Sequence, residues 1–565
     1  MNLHPMTTKS KNGISKPKLY YKALVDYTQT TPLSYRVAYK FPQWVKAMDE
    51  EFSALQRQKT WSLVPTVPGI NLVGCKWVYK LKLHSDGTIA RYKARLVAKG
   101  FHQQIGVDYS ATFSLVVKLV IVRLVLSIAV SCNWPLRQLD VSNAFFHGFL
   151  KEEVYIEQPP GYMDQQFPHH ICRLHKSLYG LKQAPKAWFD RFTSQLWHLG
   201  FEASMADSSL FVFDSHQTII YLFVYIDDII ITGNSSSQVS HLVTALSKAF
   251  ELKDLGALSY FLGIQIVPSK FGLTLCQSKY AFDVLHGYKM ENSKPIKTPC
   301  CPNVHLTPFE GSVLPDPIEY RSMVGALQYL TFTRPDLAFS VHQLCQFMHH
   351  PTTSHLEATK CVLHYVRGTL HFRIHLAPTP LTFFAFSDAD WAEDPTDKKS
   401  TTGMLVFLGS NPISWSSKKQ STVSHSSTEA EYRALASTIV ELAWLHTLFK
   451  ELKLFLPHIP ILWCDNNSTI ALASNPVFHS RTKHIEVDYH YMRGCVLRST
   501  LGVKFISGHD NFVDIFTKPL PGPHFLVLHS KLLADTTSSF RGDVKSKPRD
   551  KQSFDQMVQM HKPNG

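Results

Sequence analysis

Between residues 222 and 233 the chain reads LFVYIDDIIITG, an apolar stretch, two adjacent carboxylates and a second apolar stretch. This is the pattern of a tight hairpin with buried arms whose turn is the pair Asp227-Asp228. Aspartate tolerates unusual turn angles, so one reading is a turn carrying solvated acids. The other is a metal site, because two like charges held at the edge of a core repel and a divalent cation relieves the repulsion. Asp140, near the end of the strand-like LRQLDVSNAFF (136–146), offers a third carboxylate if its strand lies beside the hairpin. Oxygen-rich sets of this kind suit two magnesium ions about 3.5–4 Å apart, which stabilise the attacking and leaving oxygens of phosphoryl transfer.

A second acidic set lies toward the C-terminus. Asp388 ends LTFFAFSD (381–388), Glu431 falls in the first turn of a long helical stretch (427–452), Asp465 ends ILWCD (461–465) and Asp514 begins a short helix near 511–518. Three strands, a helix, a strand, a helical stretch, a strand and a helix form an order in which these acids can converge on one sheet edge. Glu431 has a competing use, since Thr428 with Glu431 makes a capping box, as does Ser426 with Glu429. Asp390 competes with Asp388 on the first strand. Pattern alone leaves a metal site and a set of capping or solvated acids both open.

At 565 residues the chain has room for about three or four domains with their own cores. Hydrophobic residues make up 44% and charged residues 18%, the balance of a soluble globular protein. The net charge of +14 gives a surface that attracts polyanions. The longest apolar run, LVVKLVIVRLVLSIAV (115–130), carries Lys118 and Arg123, which fits a helix packed inside the protein and argues against lipid. The N-terminal MNLHPMTTKSKNGISKPK has no apolar signal core. Ten cysteines without a CxxC, and 29 histidines without a zinc spacing to paired cysteines, indicate reduced thiols in an intracellular protein.

Residues 1–35 are polar and basic and read as a linker or arm. GCKWVYKLKLHSDGTIARYKARLVAKGF (74–101) alternates apolar and basic residues about an S-D-G turn. That predicts a hairpin with Lys76, Lys80, Lys82, Arg91, Lys93, Arg95 and Lys99 on one face. HKSLYGLKQAPKAWFDRFTSQLWHLGF (175–201) reads as a turn followed by a helix, and residues from about 275 to 378 as mostly helical, up to a break at APTP (377–380). The tail beyond about 526 is expected to be disordered.

Read in order, YKARLVAKGF, QLDVSNAFFHG, LYGLKQAPKAW, VYIDDIIITG, DLGALSYFLGI, SDADWA, ISWSSKKQ, SSTEAEYRAL, CDNNS, RTKHIEVDYH and DIFTKPL resemble successive motifs of the Pol polyproteins of copia-type LTR retrotransposons. The resemblance runs from about Trp44 to Leu520 and covers the reverse transcriptase and ribonuclease H portion. It implies an α+β and α/β multidomain fold, a right-hand polymerase of fingers, palm and thumb followed by a ribonuclease H-like domain. The expected divisions are 1–35 arm, 36–275 fingers and palm, 276–378 helical thumb or connection, 379–525 ribonuclease H-like domain and 526–565 disordered basic tail.

The resemblance also implies roles. Tyr225, Ile226, Asp227 and Asp228 match the family's Y-x-D-D motif and Asp140 its first catalytic aspartate, with Asp140 and Asp227 holding two metals and Asp228 more peripheral. Phe145 matches the aromatic that excludes a ribose 2′-hydroxyl. Lys80 and Arg95, or Lys82 and Lys93 in another register, are candidates for triphosphate contacts. Tyr179, Gly180 and Lys182 fall in the segment near nucleotide and template, and FLGI (261–264) in the primer-positioning hairpin. Asp388, Glu431, Asp465 and Asp514 match the four metal-binding acids of ribonuclease H, Glu431 being preferred to Glu429 because E-Y-R-A suits the family's helix motif. His509 is a further candidate for product release or proton transfer.

The implied activity is RNA-directed DNA polymerisation with cleavage of RNA in RNA–DNA hybrids, using magnesium or manganese. Implied partners are an RNA template, a DNA primer, hybrids and dNTPs, with no membrane, in cytoplasmic particles or the nucleus. Two departures stand out: Leu115 and Leu119 occupy positions where the family commonly has proline, which is expected to loosen that segment and suggests relaxed selection. Nucleocapsid, aspartic protease and integrase motifs are missing, although HPMTTKSKNG resembles the linker after integrase, so the chain is expected to be a processed fragment or a truncated element. The competing readings are a decayed remnant that binds nucleic acid without turnover and an integrase-type nuclease on the ribonuclease H-like fold.

Overall fold

The computed structural model describes residues 27–83, 88–112, 117–300, 306–474, 494–495, 498 and 500–535. Leu115, RTKHIEVDYH (481–490), most of the N-terminal arm and the tail from 536 lie outside these. The chain divides into two compact units, Met1–Ser114 with Asn143–Ser194, and Leu115–Ser142 with Gln195–Gly565.

In the first unit, strands Cys75–Leu83 and Ile89–Ala98 form the expected antiparallel hairpin. Its register pairs Lys76 with Val97, Val78 with Arg95, Lys80 with Lys93 and Lys82 with Arg91, so six of the seven expected basic residues share one face, Lys99 lying just past the strand end. The other face carries Cys75, Trp77, Tyr79, Ala94, Leu96 and Ala98, all buried. Helix Pro42–Arg57 packs on this apolar face: the Trp44 ring meets Tyr79 at 5.3 Å and Tyr92 at 5.0 Å, both edge-on. A four-stranded sheet in the order Trp61–Val64, Ile171–Lys176, Phe149–Ile156, Leu72–Val73 completes the unit.

The second unit is built on three sheets. The first has six strands in the order Leu252–Ala257, Leu136–Val141, Asp228–Gly233, Thr218–Tyr225, Leu210–Ser215, Glu202–Ala203, each antiparallel to its neighbours. The apolar run at 115–130 forms helix Leu119–Ser131 with its core side chains buried. Arg123, inside it, donates from Nε to the Ile413 carbonyl (2.8 Å) and from Nη1 to the Phe332 carbonyl (2.8 Å), and lies 3.8 Å over the Trp415 ring. Leu119 is the first helical residue, after an extended Lys118. Proline suits that position but is not required there, so leucine starts the helix without breaking it.

The second sheet runs Tyr260–Phe261, Ile264–Ser269, Gly272–Cys276, Phe372–Leu376, Ala534–Asp535. Helices Ser278–Gly287, Ile318–Leu330, Ala338–Cys345 and Thr353–Gly368 lie in the region read as mostly helical, but strand Phe372–Leu376 and the non-helical stretch before Ile318 leave it less helical than expected. The third sheet runs Asn411–Lys419, Thr401–Leu408, Phe383–Ala389, Ile461–Cys464, Gly502–Phe505. Its first three strands are antiparallel and its last two join in parallel, with helix Ser427–Glu451 against it.

Two expectations are corrected. The chain beyond 526 is not disordered at its start: helix Gly522–Leu532 and strand Ala534–Asp535 continue the fold. Phe525, Leu528, Leu532 and Leu533 are buried there, an apolar stripe that holds the segment down despite its basic flanks. The turn of the acidic hairpin is also displaced by one residue. Tyr225 pairs with Asp228, so the two turn residues are Ile226 and Asp227, and Asp228 begins the returning strand.

Candidate functional sites

The acidic hairpin and the Asp140 strand are neighbours, with Asp228 directly opposite Asp140. The backbone of Val141 donates to the Asp227 carbonyl (2.8 Å), which ties the turn to the same strand. Ile226 takes a left-handed φ of 55°, an uncommon conformation for a β-branched residue, and one that concentrates local strain beside the acids. Gln138 Nε2 bridges from the Tyr260 carbonyl (2.8 Å) to Asp228 Oδ1 (3.4 Å). Burial, then the neighbouring Asp227, push the Asp228 carboxyl up to about 6; Gln138 acts against the rise and Asp140 adds to it. Lys253, which the sequence reading passed over, stands opposite Asp140 on the other side of its strand. Cross-strand partners of this kind have Cβ atoms about 4.5–5.5 Å apart and leave the sheet on the same face.

The C-terminal acids are drawn more tightly together. Among the described residues, ligand atoms within 4.8 Å of one another occur in two groups, Asp388–Asp465–Asp514 and Glu431–Cys464–Asp465. Asp388 lies on strand Phe383–Ala389, Asp465 directly follows strand Ile461–Cys464, Asp514 opens helix Asp514–Thr517 and Glu431 sits in the first turns of the long helix. The capping question resolves on Ser426 and Glu429. Ser426 Oγ accepts from the Glu429 N–H (3.2 Å), Glu429 Oε2 accepts from the His425 N–H (3.0 Å), and Glu429 Oε1 pairs with Arg433 at 2.7 Å. Glu431 is thereby left to face the cluster, where its Oε1 accepts from the Ala389 N–H (3.2 Å) and its buried Oε2 accepts no hydrogen bond.

The electrostatics follow from this crowding. Burial, then Asp388 and Asp465, push the Glu431 carboxyl up to about 10. Burial and Asp388 push Asp514 up to about 7 and raise Asp465. Burial also pushes the Cys464 thiol up to about 12, so Cys464 stays protonated beside the acids. Asp390 turns to a different task, accepting from the Thr401 N–H (2.9 Å) and lining a cavity of about 280 Å³ with Phe339, Glu357 and Glu393. His509 is exposed, 3.5 Å from Asp510. Thr517 and Lys518, which sequence reasoning quoted without assigning, both reach the acids: Thr517 Oγ1 donates to Asp388 Oδ2 and Lys518 Nζ lies 2.9 Å from Asp514 Oδ1. Their spacing of three and four residues after Asp514, one helical turn, was the available signal.

In the first unit, part of the nucleotide-contact set comes together. Arg95 lies 4.1 Å over the Tyr179 ring, and Tyr179 meets Phe145 at 4.7 Å between centroids. Phe145 is half-buried while Phe146 fills the core. Lys80 and Lys93 face each other farther along the same basic face, beside the Lys82 pair. Gly180 has φ of 91°, and a Cβ there would fall 2.2 Å from the Ala98 carbonyl, so only glycine lets this loop lie on the hairpin. Lys182 turns aside to the Tyr109 hydroxyl (3.0 Å).

An antiparallel sheet carries Tyr-Ile-Asp-Asp beside a third aspartate, and a separate mixed sheet carries four acids at its edge. A family profile described as "Reverse transcriptase (RNA-dependent DNA polymerase)" matches residues 58–302. The Pol polyprotein of transposon RE2 of Arabidopsis thaliana is 47% identical over 523 residues, 92% of this chain and 36% of that protein. The Pol polyprotein of transposon TNT 1-94 of Nicotiana tabacum is 40% identical over 493 residues, covering 86% of this chain and 37% of its own. A Ty5-1 transposon protein of Saccharomyces cerevisiae is 30% identical over 308 residues, covering 54% of this chain and 100% of its own length. The chain belongs to the copia-type retrotransposon Pol polyproteins and carries their reverse transcriptase domain. It spans about a third of the length of the plant relatives, 36% for RE2.

Proposed function

We propose that the chain is an RNA-directed DNA polymerase that also cleaves the RNA of RNA–DNA hybrids. The observation that carries this reading is the presence of two separate carboxylate sets, each at a strand end and each on its own sheet. Among the described residues only the C-terminal acids gather ligand atoms within 4.8 Å of one another, with Glu431 Oε2 buried without a hydrogen bond; the palm set shares their hard carboxylate donors without that convergence. Asp140, Asp227 and Asp228 would hold magnesium or manganese in the palm, and Asp388, Glu431, Asp465 and Asp514 in the second site. Such ions neutralise charge on the attacking and leaving oxygens of phosphoryl transfer.

The chain's own groups do the remaining work in this reading. The strand pairing of Asp140 with Asp228 and the tied turn fix the palm carboxylates before substrate arrives. The face of Lys76, Lys80, Lys82, Arg91, Lys93 and Arg95 attracts triphosphate and template backbone. The Phe145 ring, braced by Tyr179, closes the space a ribose 2′-hydroxyl needs. In the second site, Thr517 and Lys518 orient Asp388 and Asp514.

Primer extension on an RNA template with magnesium tests the polymerase. Extension by the native chain and its loss in Asp227→Asn are expected; no extension by well-folded protein identifies a nucleic-acid-binding remnant instead. Hybrid cleavage is expected to vanish in Asp465→Asn while extension persists, and unchanged cleavage removes Asp465 from the site.

A further inference from the structure

Lys518 occupies an unusual place. It follows helix Asp514–Thr517 in an extended conformation and returns over the acid cluster, with Nζ 2.9 Å from Asp514 Oδ1 and 3.8 Å from Asp388 Oδ2. An exposed ion pair at a spacing of four residues faces solvent and contributes little. This one points inward, at a buried Asp514 and at a second buried acid on another element. Thr517 donates to the same Asp388 oxygen, so the Asp388–Asp514 edge already has a cation and a hydroxyl donor. Glu431 Oε2 and Asp514 Oδ1 are both buried without a hydrogen bond, but the edges differ in charge: Lys518 pairs with Asp514 and Asp388, and among the described residues no ion pair reaches Glu431.

We propose that Lys518 is a built-in counter-ion for the Asp388–Asp514 edge, which a divalent ion entering that edge must displace. The cluster then takes two ions of unequal affinity, the tighter one on the side of Glu431 and Asp465. Lys518 is a positioning residue: it acts through the two carboxylates it holds. The tethered charge explains how four acids can share one sheet edge before any metal arrives, because it offsets part of their repulsion. It also makes ion entry at its own edge an exchange of one cation for another, which weakens the second site selectively. This inference rests on reading the four acids as a metal site.

The test is manganese binding by the full chain carrying Asp140→Asn, Asp227→Asn and Asp228→Asn, so that the palm contributes no ion. Free manganese is followed by its paramagnetic resonance signal. With Lys518 in place, two ions bind with distinct dissociation constants. In Lys518→Met the weaker ion tightens by about tenfold or more, as removal of a neighbouring positive charge at about 4 Å requires, while the tighter one changes little. Lys518→Arg keeps the native pattern, and Lys518→Gln, which retains a donor for Asp514, shows the same tightening should the methionine variant fold poorly. Damage to the fold weakens both ions, so tightening of one is a signature that a purely structural lysine does not produce. Unchanged or weaker binding of the second ion in folded Met and Gln variants overturns the counter-ion role alone. No manganese bound even with Lys518 in place overturns the metal-site reading and this role with it.

Discussion

At the residue scale, two glutamates two positions apart divide one helix start between structure and chemistry. Glu429 holds the His425 N–H and Arg433 at the helix N-terminus, whereas Glu431 points into the acid cluster. Glu429→Ala is therefore expected to lower stability by about 1 kcal/mol, the usual worth of a cap, and to leave hybrid cleavage in place. Glu431→Gln reverses the pattern: cleavage is lost, and thermal melting in chelator at pH 7 rises because the fold no longer has to keep protonated a carboxyl that ionises in the unfolded chain. Melting and cleavage measured on both variants check the division, and a Glu429→Ala chain that melts normally but fails to cleave contradicts it. Phe145 offers a second test. Half-buried and braced by Tyr179, it should govern sugar selection, so Phe145→Ala is expected to raise ribonucleotide incorporation by about tenfold or more, a factor of ten corresponding to about 1.4 kcal/mol. Comparing dNTP and rNTP extension rates measures it.

At the element scale, the basic hairpin was fully legible from its alternation, because a strand period of two leaves only one way to bury Trp77, Tyr79, Ala94 and Leu96. The acidic hairpin was legible as a hairpin but not in its register. Propensity does not choose a β-branched isoleucine for a left-handed turn position; the pairing of Tyr225 with Asp228 imposes it. The capping boxes were ambiguous for a similar reason, since both fit the local pattern and only packing against Asp388 and Asp465 separates them. The part played by Thr517 and Lys518 shows only once the acids converge, because their one-turn spacing after Asp514 is common on any helix. The helix Pro42–Arg57 carries a consequence of its own. Glu51 is buried against the hairpin with Oε1 unbonded, and burial pushes its carboxyl up to about 7 from 4.5, with Arg95 opposing the rise. A folded acid titrating above its unfolded value costs stability when ionised, so the cost is absent below pH 4.5 and complete above about 7. Glu51→Gln is expected to stabilise the chain at pH 8 by about 1–3 kcal/mol and by little at pH 4.5, read from denaturant unfolding at both values.

At the scale of the whole second unit, the C-terminal helix packs beside a buried charge network that composition could not reveal. Arg334 and Asp336 form a fully buried pair, with Nε to Oδ1 at 2.9 Å and Nη2 to Oδ2 at 2.7 Å. The Tyr365 hydroxyl donates to Asp336 Oδ2 (2.7 Å), and His529 of helix Gly522–Leu532 brings its Nε2 to 3.6 Å. Burial alone would raise the Asp336 carboxyl, but the Arg334 guanidinium outweighs it and holds the group well below the usual carboxylate range. The sign of the linkage follows. An acid whose folded value is depressed stabilises the fold fully above its unfolded value of about 4, and the contribution is lost as pH falls below that. The unit should therefore lose melting temperature below about pH 4, with near-ultraviolet dichroism reporting the packing of Tyr365 and Phe525, whose rings meet edge-on at 5.8 Å. Asp336→Asn leaves Arg334 buried without its partner charge and is expected to cost about 3–5 kcal/mol at pH 7. The variant should also lose the steep drop below pH 4, because the group responsible for it is gone. An unchanged acid limb in that variant would assign the drop to other carboxylates and leave the helix held by its apolar stripe alone.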